Sequence, residues 1–265
     1  MDVVDGARRR PAGLAPALAV LEYHLIGYRR VWRGSVLSSF LLPLLTVVGF
    51  GLGVGAYVDG GVDGVPYLDY LVPGLIASTA LQVAVAESTW PVLGNFEWVR
   101  IYGGQAAAPL RVADILGGHL AYVLVRVLIS SVVFLAVAAV GGILHSLWAL
   151  ATLPLMLLLG LAVAAPVFAF AASISSDNYL ALLMRLGVIP MTLFAGVFFP
   201  VESLPMALRL LAYLSPLWHA VDLSRAAALG AAPAWSLPGH LLYLTAWALV
   251  GCWLAHARFR RRLVF

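Results

Sequence analysis

Residues 116–141 read LGGHLAYVLVRVLISSVVFLAVAAVG, an apolar run broken by a single charge, Arg126. Crossing the hydrocarbon core of a bilayer takes about 20 apolar residues, and this run is long enough. Similar runs lie at 36–57, 68–90, 147–172, 180–199 and 238–257, with the charges almost entirely between them. A soluble domain could not hide so much apolar surface, because part of any chain of this size stays exposed. Helices satisfy every backbone polar group within lipid. The expected fold is therefore an all-α membrane protein of six transmembrane helices, forming one membrane domain over 36–257. Composition agrees, at 63% hydrophobic and 11% charged, where soluble domains carry roughly 25% charge.

Outward from the spans, the ends are polar. Residues 1–13 form a polar tail with Arg8, Arg9 and Arg10. In 14–34, Leu14, Leu18, Leu21, Leu25, Tyr28 and Trp32 recur at steps of three or four, with Glu22, Arg29, Arg30 and Arg33 mostly off that stripe. This pattern predicts an amphipathic helix lying in the membrane interface. Residues 258–265 are a basic tail. The start shows no clear signal-peptide cleavage site. All sixteen basic residues are arginine. They cluster before the first span, between the second and third (Arg100, Arg111), and after the sixth (Arg258, Arg260, Arg261, Arg262). The loop 58–67, with Asp59 and Asp63, and the loop 142–146 hold none. The positive-inside rule then places both termini in the cytoplasm. Arginines that flank spans give no reason to expect nucleic acid. The single cysteine, Cys252, excludes an intramolecular disulfide.

No GxxxxGK[ST] phosphate loop, HExxH or GxSxG is present. His24, His119, His145, His219, His240 and His256 show no paired metal spacing. No catalytic residue, cofactor or metal is expected in this chain. Ionisable groups within spans are the functional suspects. His119, Tyr122 and Arg126 share one helix face, and Glu87 is placed to pair with Arg126. The alternatives for Arg126 are snorkelling to the inner surface, a structural pair, or contact with a transported molecule. Gly49/Gly53 and Gly51/Gly55 form two small-residue pairs suited to close helix approach, within the chain or at a dimer seam.

Two connections exceed a simple turn. The cytoplasmic one, 91–115, contains Glu97, Trp98, Arg100, Ile101 and Tyr102 ahead of Gly103-Gly104. A short helix, a break at the glycines and a further turn are expected. Trp98, Ile101 and Tyr102 would offer an apolar face rimmed by charge, suited to another protein or to lipid headgroups. The external one, 200–237, holds Pro200, Glu202, Pro205, an apolar helix over 206–213, then Pro216, His219, Asp222, Arg225 and a stop at Gly230. Its segments are too short to span and are expected to fold partly into the outer leaflet. Glu202, His219, Asp222 and Arg225 must then pair or face water.

In four stretches the chain resembles the membrane subunits of ABC-2 type exporters, nearest to the nodulation lipooligosaccharide and daunorubicin-type permeases. These are Tyr70-Leu71-Val72-Pro73-Gly74-Leu75; 97–126 with Ala108-Pro109-Leu110, Asp114-Ile115 and Arg126; Phe198-Phe199-Pro200 through Leu204-Pro205; and Leu214-Ser215-Pro216-Leu217 through Arg225 and Gly230. The resemblance runs from about residue 20 to the C-terminus. It implies a coupling helix at 92–105 seated in a partner ATPase, and an outer re-entrant pair over 200–229. It also implies two permeases, identical or related, with two ATPases that hold ATP and magnesium. The function implied is that of a permease subunit in the bacterial cytoplasmic membrane. It would export an amphipathic, lipid-linked or drug-like substrate by alternating access. Two rivals remain at this stage. One is a membrane enzyme acting on lipid through His219, Asp222 and Glu202. The other is a carrier driven by protons through Glu87.

Overall fold

The computed structural model describes residues 14–54, 61–62, 64–143 and 147–264, without the side chains of 35–40, 42–43, 51–52, 54 and 147. The predicted tail 1–13, Asp59, Asp63, His145 and Gly55 lie outside the described residues. Among the described residues the secondary structure is helical, apart from one isolated bridge between Val62 and Val65.

Helix α1 runs Ala15–Val48 without interruption. The predicted division between an interface helix ending at 34 and a span opening at 36 is thus absent. Gly34 and Ser35 stand at that point, and a single glycine inside a helix costs only about 1 kcal/mol. The helix loosens further on, into a π turn over Gly49–Val54, where glycine recurs at alternate positions. After α1 come α2 (Tyr67–Ser88), α3 (Trp90–Glu97), α4 (Ile101–Ala107) and α5 (Val112–Val140). A 3-10 turn (Leu147–Ala151) leads into α6 (Thr152–Ala171). Next are α7 (Asn178–Leu183), a π turn (Met184–Val188) and α8 (Ile189–Phe194). The chain closes with α9 (Met206–Tyr213), α10 (Pro216–Leu229) and α11 (Leu237–Leu263).

Among the described residues, four stretches are long and apolar enough to cross a membrane: Tyr67–Glu97, Val112–Val140, Trp148–Ala171 and Leu237–Leu263. They coincide with four of the six predicted runs. The run at 180–199 becomes the shorter apolar helix Asn178–Phe194. It ends early because the chain turns at Gly196, whose φ of +79° favours glycine. The predicted basic tail is helical as far as Leu263, an extension of α11.

Helix α2 is buried on nearly every side, as an all-round apolar helix must be. It packs against α5, α6 and α10, while α1 lies along α5 and α11 along α6. Small residues permit these crossings. Gly118 of α5 meets the Ala17 carbonyl and Val20 of α1, and Gly251 of α11 meets Pro166 of α6. A Cβ on Gly251 would stand 2.5 Å from Pro166 Cδ and 2.8 Å from its nitrogen. That proline sits inside α6 and cannot yield. Gly251→Val should therefore force α11 off α6 and cost about 1–3 kcal/mol or more. Thermal unfolding in detergent measures it; an unchanged midpoint would mean that the crossing is not tight. By contrast, a Cβ on Gly49 or Gly53 would meet only open space. Among the described residues nothing packs against either glycine.

Candidate functional site

The connection 91–115 folds as two short helices joined by a tight knuckle. Helix α3 ends when the Trp98 and Val99 amides both donate to the Gly94 carbonyl. Arg100 then takes a left-handed conformation, φ 57° and ψ 30°, and α4 starts at once. The expected break at Gly103-Gly104 is not there: both glycines lie inside α4, and the chain turns at Trp98–Arg100 instead. A non-glycine residue at positive φ is uncommon and costs roughly 1–2 kcal/mol. The turn exposes Trp98 (61%) and Val99 (67%), with Arg100 exposed beside them. The Trp98 ring is braced on Gly94, where an added Cβ would come within 2.9 Å.

Tyr102 departs from the expected apolar face. It is fully buried and points into the membrane domain, while Ile101 is half-buried. Its hydroxyl is hydrogen-bonded to His119 Nδ1 of α5. Burial pushes the phenol above its usual range, so it stays neutral. Its ring meets Phe96 of α3 at 4.6 Å and Phe259 of α11 at 5.2 Å, edge to face. Arg262, one turn beyond Phe259, donates to the Glu97 carboxylate at the end of α3. It also donates to the carbonyls of Ala172 (3.3 Å) and Ile174 (3.1 Å) where α6 ends. Its guanidinium lies 4.4 Å above the Phe96 ring. The connection is thus fastened to α5, α6 and α11.

Deeper in, Arg126 Nε lies 2.9 Å from Glu87 Oε1, with both side chains largely buried. The guanidinium also covers the Tyr28 ring of α1 at 4.3 Å. The predicted face of His119, Tyr122 and Arg126 is buried as a unit. Against it lies His24 of α1, stacked on His119 at 4.0 Å and near Tyr122 at 5.3 Å. Glu87 is therefore engaged by a cation across the helix pair.

At the opposite end, Pro205 and Pro216 stand at the starts of α9 and α10, and Ser215 Oγ accepts from the Leu217 amide at 3.1 Å. Arg225 anchors α10. It donates to the carbonyls of Tyr70 (3.3 Å) and Gly196 (2.8 Å) and sits 3.7 Å over the Tyr70 ring. Pro200 opens a short 3-10 turn holding Glu202, which is exposed, while His219 is fully buried. Asp222 and His219 turn toward His240 of α11. The three groups weighed for lipid chemistry therefore do not share one environment.

Sequence reasoning missed four contributors. His24 falls four residues before Tyr28, in register with the amphipathic stripe, which was a usable signal. Phe259 and Arg262 were hidden in a tail taken as a charge run. Nothing in the spacing pairs His240 with His219.

The architecture is that of an all-helical membrane transport subunit. Its buried charges are paired, and an apolar knuckle stands proud of the membrane helices at one end. The chain belongs to the ABC-2 type transporter family, whose model matches residues 17–229. It is 30% identical to the nodulation protein J of Rhizobium leguminosarum bv. viciae over 259 residues, 98% of this chain and 99% of that protein. It is likewise 30% identical over 260 residues to the bv. trifolii protein of that name, covering 98% of each. The nodulation protein J of Rhizobium meliloti is 29% identical over 247 residues, 93% of this chain and 94% of that protein.

Proposed function

We propose that this chain is the permease subunit of an ATP-driven exporter in a bacterial cytoplasmic membrane, with both termini cytoplasmic. A separate ATPase pair binds ATP and magnesium and docks at the Trp98–Val99–Arg100 knuckle. Closure of the ATPases moves that knuckle, and paired permeases alternate between inward and outward access. The carrying observation is an exposed apolar turn fastened by Tyr102 and Arg262 to the inner ends of three long helices. A second permease, identical or related, is supported by the open space beside Gly49 and Gly53 and by exposed Leu41, Leu45, Val48 and Phe50. The largely apolar helices and the resemblance to lipooligosaccharide exporters favour an amphipathic, lipid-linked or drug-like substrate.

Substitution at the knuckle tests this reading. Trp98→Ser with Arg100→Gly should leave the fold intact, since both side chains are exposed and glycine suits φ 57°. Copurification of the ATPase should fall at least tenfold, as expected when an apolar and a charged anchor are both lost. Undiminished ATPase recovery and transport would remove the coupling assignment.

A further inference from the structure

Helix α2 carries one continuous stripe at Val72, Leu75, Thr79, Gln82 and Ala86, stepped by three and four residues. Its first three members are buried, whereas Gln82 and Ala86 are exposed, as is Trp90 just past the helix end. Helix α1 shows a matching change along its own length. Arg29, Arg33, Leu44 and Val47 share a face, at steps of four, eleven and three residues. Val47 packs on the core and Leu44 is half-buried, but Arg29 and Arg33 are exposed. Residues 29–34 are in fact exposed on every side of the helix. The two helices are neighbours, because Arg126 touches Glu87 of α2 and Tyr28 of α1. The π turn that ends α1 also lies against α2. Between them is a cleft, closed toward the π turn and open toward the knuckle.

The polar groups of this cleft lie deep. Helix α1 runs parallel to α5: Val20 meets Gly118, His24 stacks on His119, and Tyr28 lies under Arg126. Val127, the next residue of α5, meets Gly160 near the middle of α6. Arg29 and Arg33, just past Tyr28, therefore stand level with the middle of the long apolar helices. Gln82 is the midpoint of the apolar stretch Tyr67–Glu97. Acyl chains would make two guanidiniums and an amide costly at this depth. Neither arginine has an ion-pair partner among the described residues. Glu87 is engaged by Arg126, and Glu22, two turns nearer the open end, is exposed. Gln82 gives one N–H to Ser78 Oγ at 3.2 Å and keeps the other and its carbonyl for a visitor.

We infer that this cleft is hydrated and receives a transported amphiphile by its anionic head group, held between Arg29 and Arg33 of α1 and Gln82 of α2. The inference rests on the permease reading and names the chemistry of its cargo. Guanidiniums pair with carboxylate, phosphate or sulfate oxygens through two parallel N–H donors, which an uncharged head cannot match. Trp32, beside Arg33, and Trp90 offer aromatic surface to the apolar part of the same molecule. The buried Val72, Leu75 and Thr79 stop it from passing further along α2 until the helices move.

Thiol labelling tests this in inverted membrane vesicles, which on the permease reading present the knuckle side. In a Cys252→Ser background, a membrane-impermeant reagent should label Gln82→Cys, because only a hydrated thiol ionises and reacts. Val264→Cys, exposed at the end of α11, should label too, and the buried Thr79→Cys should not. Dodecyl phosphate should slow labelling of Gln82→Cys several-fold, while dodecanol leaves it unchanged. Adding Arg29→Gln and Arg33→Gln should keep the labelling and abolish the protection. An unreactive Gln82→Cys beside a reactive Val264→Cys, or a disulfide joining two copies through Gln82→Cys, overturns the cleft. No protection by dodecyl phosphate, equal protection by dodecanol, or protection that survives loss of both arginines overturns the anionic cargo. Labelling that is slow in phosphatidylglycerol vesicles and fast in phosphatidylcholine gives the cleft to a resident lipid and overturns it likewise. No readout here uses an ATPase or transport, so these failures are distinct from failure of the permease reading, which the knuckle variants decide.

Discussion

Arg126→Ala should destabilise the membrane domain by about 3–5 kcal/mol, the penalty for leaving a buried charge without its partner. The Glu87 carboxylate would keep its place between α2 and α5 while losing the guanidinium 2.9 Å away. Tyr28 of α1 would lose the cation that covers its ring. Glu87→Ala should cost a similar amount, with the uncompensated charge now positive. The paired replacement Arg126→Met with Glu87→Leu should recover most of the loss, because a buried ion pair often adds little over well-packed apolar side chains. Arg126→Lys should fall between, since an ammonium cannot present Nε to Glu87 and a flat face to Tyr28 together. Thermal unfolding in lipid nanodiscs measures all four. If Arg126→Ala unfolds like the unaltered protein, the arginine has an aqueous outlet and snorkelling is the better account.

The second large effect is expected at Tyr102. Tyr102→Ala empties a site enclosed by Phe96 and Phe259 and strips His119 of its partner. Removing a buried aromatic ring costs about 3–5 kcal/mol. Helix α4 is only seven residues long and has little else to hold it, so ATPase recovery should fall with stability. Tyr102→Phe keeps the ring and loses the hydroxyl, at about 1 kcal/mol, and should retain partner binding. This order differs from that at Trp98, where binding should fall with stability unchanged. If Tyr102→Ala kept full stability and lost only the partner, Tyr102 would belong to the docking surface after all.

The long elements could be read from the sequence because lipid imposes one rule on every span. Four of the six runs overlap long apolar stretches of the structure, and the Glu87–Arg126 pair followed from helical spacing and cost. Short-range punctuation misled. Gly103-Gly104 read as a break, yet both residues continue α4, because the chain had already turned at Arg100, a residue with no reputation for turning. Tyr102 read as surface because seven residues cannot reveal which side faces a neighbour 17 positions away. Phe259 and Arg262 were masked by the arginines around them, and only the end of α6 shows why one of those arginines differs. His219 and His240 sit on separate elements, α10 and α11, whose meeting depends on how the whole segment 200–240 folds.

The fastening of the knuckle to the helix ends has a mechanical consequence. Tyr102, Phe96, Phe259 and Arg262 leave the connection almost no compliance of its own, so a force on the knuckle is not absorbed by a bending loop. It reaches the feet of α5, α6 and α11 together, as a torque on a stiff block. The soft places lie elsewhere, in the π turns Gly49–Val54 and Met184–Val188, where the helical ladder is already loosened. Motion should be largest there, remote from where the force enters.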